Sequence, residues 1–104
     1  MDFKIERQPV IQQGDLYMDP QCYIVRQAEK EIELAPKEFD VLYFLAQYPG
    51  WVFSVTQIYE AVWNDNFPES GESLVYNIIY KIRKKLKRPE IIETLTGRGY
   101  KFIA

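Results

Sequence analysis

Residues 70–88, SGESLVYNIIYKIRKKLKR, constrain the fold more than any other part of the chain. On a wheel of about 100° per residue, Val75, Ile79, Ile82 and Leu86 fall on one line, which Leu74 and Ile78 widen on one flank. Ser73, Asn77, Tyr80, Lys81, Lys84 and Arg88 fall on the far side, with Arg83 and Lys87 between. One helix therefore has an aliphatic face to bury and a face of positive charge, amide and phenol to show. Ser70 is the candidate N-cap, and Pro89 cannot continue the helix. Basic faces are common on surface helices and by themselves signify only solvation. The sequel separates this one from that background. A strand pattern over 91–95 runs into Thr96-Gly97-Arg98-Gly99, and a second strand pattern covers 100–103. A cationic helix leads straight into a tight hairpin with an arginine in its glycine loop.

The charge distribution sharpens this. The chain carries a net charge of -2, which taken whole points away from nucleic acid. Residues 71–104 hold eight cations against three carboxylates, a net of +5, which leaves -7 on residues 1–70. A dipolar domain of this kind can turn a basic face to phosphates while its back stays acidic. With 104 residues, 47% of them hydrophobic, the chain is expected to be one domain over 1–104 with a real core. No apolar run reaches membrane-spanning length and no export signal opens the chain, so a cytoplasmic protein is expected. The single Cys22 excludes an intramolecular disulfide and reads as a packed or half-exposed strand residue.

Residues 1–34 read as a small antiparallel sheet of four strands. Phe3, Ile5 and Val10-Ile11 are apolar between polar neighbours, and segments 16–18, 22–26 and 31–34 are rich in Ile, Val and Tyr. Gly14-Asp15 and Asp19-Pro20 are the turn signals. The remaining part, 35–104, reads as three helices plus the hairpin. The first helix spans 36–48, with Pro36 at its first position and a poor cap in Ala35. Pro49-Gly50 ends it, and 51–53 form a short apolar link that suits one extra strand. Ser54 and Gln57 form a capping-box pattern for a second helix through Trp63. Segment 64–69 is a polar loop with one large apolar residue, Phe67. It is read as a protein contact through Asp65, Asn66, Phe67 and Glu69, the carboxylates being repelled by phosphates; the competing reading folds Phe67 back into the core.

Residue types argue against an enzyme. There is no histidine, which removes the commonest general base and metal ligand, and one cysteine makes no zinc cluster. Gly97-Arg98-Gly99 precedes a strand, not a helix, so it is no dinucleotide or phosphate loop. No catalytic residue, cofactor or metal is expected.

Taken together, Ile32-Glu-Leu-Ala-Pro-Lys-Glu-Phe39, the Pro49-Gly50 break, the Ser54 to Gln57 start, Val62-Trp63, Ile82-Arg-Lys-Lys-Leu86 and Glu93-Thr-Leu-Thr-Gly-Arg-Gly-Tyr-Lys-Phe102 resemble the OmpR/PhoB-type effector domain of bacterial two-component response regulators. The resemblance spans nearly the whole chain, in order. It implies an α+β winged helix-turn-helix with an N-terminal four-stranded antiparallel sheet, three helices and a C-terminal β-hairpin wing. It implies sequence-specific binding to double-stranded promoter DNA, as a tandem homodimer, with the third helix in the major groove and the wing in the adjacent minor groove. It implies RNA polymerase as a partner at the loop between the second and third helices. It further implies a phosphorelay setting, with a sensor kinase and a receiver domain that these 104 residues lack. The chain departs from the family pattern at Ala35, where Thr or Ser is common, at Ser73 and Ile78, where Arg and His are common, and at Tyr80-Lys81, where two basic residues are often found. The wing arginine stands two residues later than usual, at Arg98, with Thr96 in its place.

Two functional readings follow. In the first, the domain binds DNA. Lys81 donates to a guanine edge and Asn77 reads adenine, with Ser73 and Tyr80 on the same face. Arg83, Lys84, Lys87 and Arg88 hold phosphates, and Thr94, Thr96 and Arg98 form the wing contact. In the second, a degenerate winged helix serves as a protein-interaction or dimerisation module. Leu74 and Ile78, with Tyr76 and Tyr80 nearby, would then form an apolar patch. Tyr76 and Tyr80 pack on the core edge in one account and on DNA in the other.

Overall fold

The structure, a computed structural model, describes residues 8–103. The expected strand residues Phe3 and Ile5 lie outside them. Four short strands, β1 (Ile11–Gln13), β2 (Leu16–Asp19), β3 (Ile24–Gln27) and β4 (Lys30–Ile32), pair antiparallel in chain order. Alternation puts Leu16, Met18, Val25 and Ile32 on the buried face. Gly14-Asp15 makes the first reversal, as its composition predicts, with Gln13 opposite Leu16. The strand expected over 22–26 begins later, because Tyr23 turns at φ 56° and leaves Cys22 exposed, not packed in a strand. The strand expected over 31–34 is shifted too, to Lys30–Ile32. The β3–β4 reversal is Ala28-Glu29, both at positive φ (53° and 64°). Neither residue is a usual choice there, so composition carried no signal for it.

Helices follow: α1 (Pro36–Gln47), α2 (Val55–Trp63) and α3 (Gly71–Lys85). Ala35 has no side-chain acceptor, and α1 is secured instead from the other side. The Glu38 carboxylate accepts from the Ala35 N–H at 2.8 Å. In α2 the expected reciprocal cap is made, with Gln57 N–H on Ser54 Oγ at 3.1 Å and Ser54 N–H on Gln57 Oε1 at 2.9 Å.

The third helix is shorter than its periodicity suggests. It stops at Lys85, and Leu86 is extended (φ -73°, ψ 145°), so Lys87 and Arg88 are not on it. Two causes act together. Pro89 disfavours helical geometry in the residue before it. The buried amide of Gln27, on β3, also accepts from Arg88 N–H at 2.9 Å and donates to Arg88 C=O at 3.2 Å. At the other end, Ser70 occupies the N-cap position but its side chain accepts no capping hydrogen bond.

Val75, Ile79, Ile82 and Leu86 are buried as the wheel requires, against Phe39 and Leu42 of α1. Val62 and Trp63, at the C-terminal end of α2, are half-buried against the core. Trp63 stacks flat on Tyr59 at 4.8 Å, with the Lys37 ammonium 5.5 Å from its ring. After a 3-10 turn at Pro89–Ile91 the chain forms β5 (Ile92–Leu95) and β6 (Gly99–Phe102), anchored by buried Ile92, Tyr100 and Phe102. The 51–53 link supplies a one-residue bridge, with Phe53 and Tyr100 exchanging both backbone hydrogen bonds at 2.9 Å.

Candidate nucleic-acid interface

The solvent face of α3 carries Ser73, Asn77, Tyr80, Lys81 and Lys84, all exposed. They are there because the opposite stripe is consumed by the core. Tyr80 is 60% exposed, and the Lys84 ammonium lies 5.3 Å from its ring centroid. These two form a flat cationic-aromatic surface, not core packing. Five of the eleven residues expected at DNA thus share one helix face.

The hairpin stands beside this helix. Its loop closes between Leu95 and Gly99, and Arg98 N–H donates to Leu95 C=O at 2.8 Å. Gly97 takes φ 77° and Gly99 φ 128°, conformations that side chains disfavour. Gly99 is needed for a second reason: an added Cβ would lie 1.9 Å from the Phe53 carbonyl oxygen. Thr96 and Arg98 are exposed at the tip. Between the hairpin and α3 runs an open groove of about 520 Å³, lined by Glu72 and Tyr76 from α3, Ser54 at the start of α2, and Thr94, Thr96 and Arg98 from the hairpin.

Arg83 does something other than reach for phosphate. Its guanidinium donates to Ile92 C=O at 2.8 Å and Thr94 Oγ1 at 2.7 Å, and lies 5.5 Å from the Tyr100 ring centroid. One side chain thereby ties α3 to both strands of the hairpin. Thr94 is an acceptor in this clamp. Arg88 likewise leaves the expected cationic face: it lies beyond α3 and pairs with Asp15 at 2.8 Å. Lys87 is exposed, off the helix. Lys85 reaches back to the buried Glu38 at 2.6 Å. Burial pushes the Glu38 carboxyl up, but Lys85, the Ala35 N–H and the charge on Lys81 outweigh it and hold it below the ordinary carboxylate range. Gln27 and Glu38, which position the end of α3, carried no sequence signal as functional residues. Only their burial identifies them.

Tyr76 lies at the groove edge. Its hydroxyl donates to Glu72 at 2.5 Å, and its ring meets Tyr100 edge-on at 6.4 Å. The loop 64–69 is split in character. Asp65, Asn66 and Glu69 are exposed. Phe67 is half-buried, edge-on to Tyr59 at 5.7 Å and seated where Gly71 has no side chain. The reading in which Phe67 folds back is the one the structure supports.

A family model described as "Transcriptional regulatory protein, C terminal" matches residues 29–102. The chain belongs to this family. Relatives include the transcriptional regulatory protein CutR of Streptomyces coelicolor, 36% identical over 93 residues, covering 89% of this chain and 42% of that protein. The alkaline phosphatase synthesis regulator PhoP of Bacillus subtilis is 36% identical over 101 residues, covering 94% and 41%. The chain thus spans about two-fifths of the length of these relatives. Among solved structures, the Thermotoga maritima response regulator DrrB, an OmpR/PhoB homologue, matches with TM-score 0.77 at 33% identity, over 91% of this chain and 44% of that one. The Klebsiella pneumoniae RstA DNA-binding domain, solved with the RstA box, matches with TM-score 0.81 at 25% identity, over 92% and 98%. The fold is that of the winged-helix DNA-binding domains of OmpR/PhoB-type response regulators.

Proposed function

We propose that this domain is the sequence-specific DNA-binding output of a two-component transcription regulator, with α3 in the major groove and the β5–β6 wing in the adjacent minor groove. One observation carries the reading: α3, through Glu72 and Tyr76 on its flank, and the wing loop, through Thr96 and Arg98, wall one open groove, so the recognition helix and the wing stand side by side for one duplex. Asn77 and Lys81 read base edges, with Ser73 and Tyr80 beside them. Lys84 and Lys87 meet phosphates. Arg98, flanked by two glycines, enters the minor groove, where a narrow A·T-rich segment concentrates negative potential. Thr96 lies next to it. Arg83 and Thr94 serve by holding the wing, and Arg88 by pairing with Asp15.

The test is selection of bound sequences from random duplex at two salt concentrations. A defined site whose affinity falls steeply with salt supports the reading. Salt-independent binding to protein alone supports the interaction-module reading, for which Leu74, Tyr76 and Tyr80 remain exposed while Ile78 packs against the core.

By extension, the assembly includes a tandem homodimer on DNA, a receiver domain answering a sensor kinase, and RNA polymerase at Asp65, Asn66 and Glu69. A cytoplasmic location suits such a protein. No helix among the described residues is long and apolar enough to cross a membrane.

A further inference from the structure

Resting on the DNA reading above, a geometric consequence concerns Glu72. A helix in the major groove and a wing in the neighbouring minor groove are separated by one sugar–phosphate strand. That strand must cross the groove between α3 and the hairpin. The groove offers it Ser54, Thr94, Thr96 and Arg98, all able to meet a phosphate, and one carboxylate, Glu72. Glu72 is exposed and makes no salt bridge among the described residues, so no cation neutralises its charge. It is also held in place, accepting the Tyr76 hydroxyl at 2.5 Å. That hydrogen bond occupies the hydroxyl of Tyr76, the phenol that α3 contributes to the groove.

We propose that Glu72 limits affinity: held by Tyr76 where the phosphate strand crosses, it weakens binding to every duplex alike. Sequence selection then rests on the far face of α3. The ordinary role of a carboxylate in a first helical turn is to favour the helix through its dipole. The two roles predict opposite signs, since a helix-stabilising residue loses binding when neutralised and an affinity-limiting one gains it.

The experiment compares wild type, Glu72→Gln and Glu72→Asp on the selected site and on a random duplex, with melting temperatures measured alongside. Glu72→Gln should bind both duplexes more tightly by about two- to fivefold, the range expected for one exposed charge. Glu72→Asp, which keeps the charge, should show no gain. A Glu72→Gln protein that binds the selected site less well while its random-duplex binding holds would overturn the proposal and make Glu72 an acceptor for a cytosine amino group. Unchanged affinity on both duplexes would overturn it as well. If wild type binds neither duplex, the DNA reading falls and takes this proposal with it. A wild type that binds while Glu72→Gln shows no gain removes this proposal alone.

Discussion

Two loops flank α3, and they behave in opposite ways. The wing loop projects: Thr96, Gly97 and Arg98 are exposed, and the glycine at 97 has open space around it. The 64–69 loop is pinned down by its own aromatic, because Phe67 fills the space left by Gly71 and meets Tyr59. Glycine underlies both outcomes, but by different physics. At 99 its absence of a side chain admits the rigid Phe53 backbone; at 71 it admits a ring that can move. A loop is free to meet a partner when its apolar residues have no seat below it.

This contrast sets the order of expected effects. Gly99→Ala should be the most severe, since a Cβ must displace the Phe53 carbonyl from a backbone already at φ 128°. A cost on the order of 3 kcal/mol, read by denaturant unfolding, is expected. Phe67→Ala should cost about 1–2 kcal/mol of stability through lost burial while DNA affinity, corrected for the folded fraction, holds. A variant that keeps its melting temperature but loses transcription activation would instead show Phe67 to be a partner contact. Arg83→Lys keeps the charge but loses the longer planar guanidinium, whose Nη2 reaches both Ile92 and Thr94 while its plane lies near Tyr100. It should lose about 1 kcal/mol of binding, concentrated at sites with an A·T-rich flank. In a cycle with Arg98→Ala the two losses should not add; additive losses would mean that Arg83 does not act through the wing. The smallest effect belongs to Gly71→Ala. Better helix propensity, worth under about 1 kcal/mol at this first helical position, partly offsets the displaced Phe67 ring, so net stability should move by less than about 1 kcal/mol.

The pair joining α3 to α1 gives a pH test on the side away from the wing. Because the Glu38 carboxyl is held below its ordinary value in the folded protein, its contribution is present above the unfolded value of about 4.3. It is lost as pH falls through the lower folded value. Acid titration of the melting temperature should show a drop there that Glu38→Gln lacks.

Much of this protein was legible in its residues. The order of sheet, three helices and hairpin follows from apolar periodicity, turn residues and the Ser54–Gln57 cap. So do the buried stripe of Val75, Ile79 and Ile82 and the exposure of Asn77, Lys81 and Arg98. All of these depend on neighbours a few positions away along the chain. Arg83, Lys84 and Lys85 mark the limit. Three adjacent cations are equivalent as sequence, yet one clamps the wing, one lies over Tyr80 in solvent, and one pairs with Glu38 on α1. Each turns by about 100° from the last, so each faces a different part of the fold. Which acceptor waits there is set by strands and helices distant in sequence. The same holds for the Gln27 amide, which acts with Pro89 to end α3, and for the Gly71 seat that draws Phe67 inward. Local spacing determined which faces exist; only tertiary packing decided which charges and rings remain free to meet a partner.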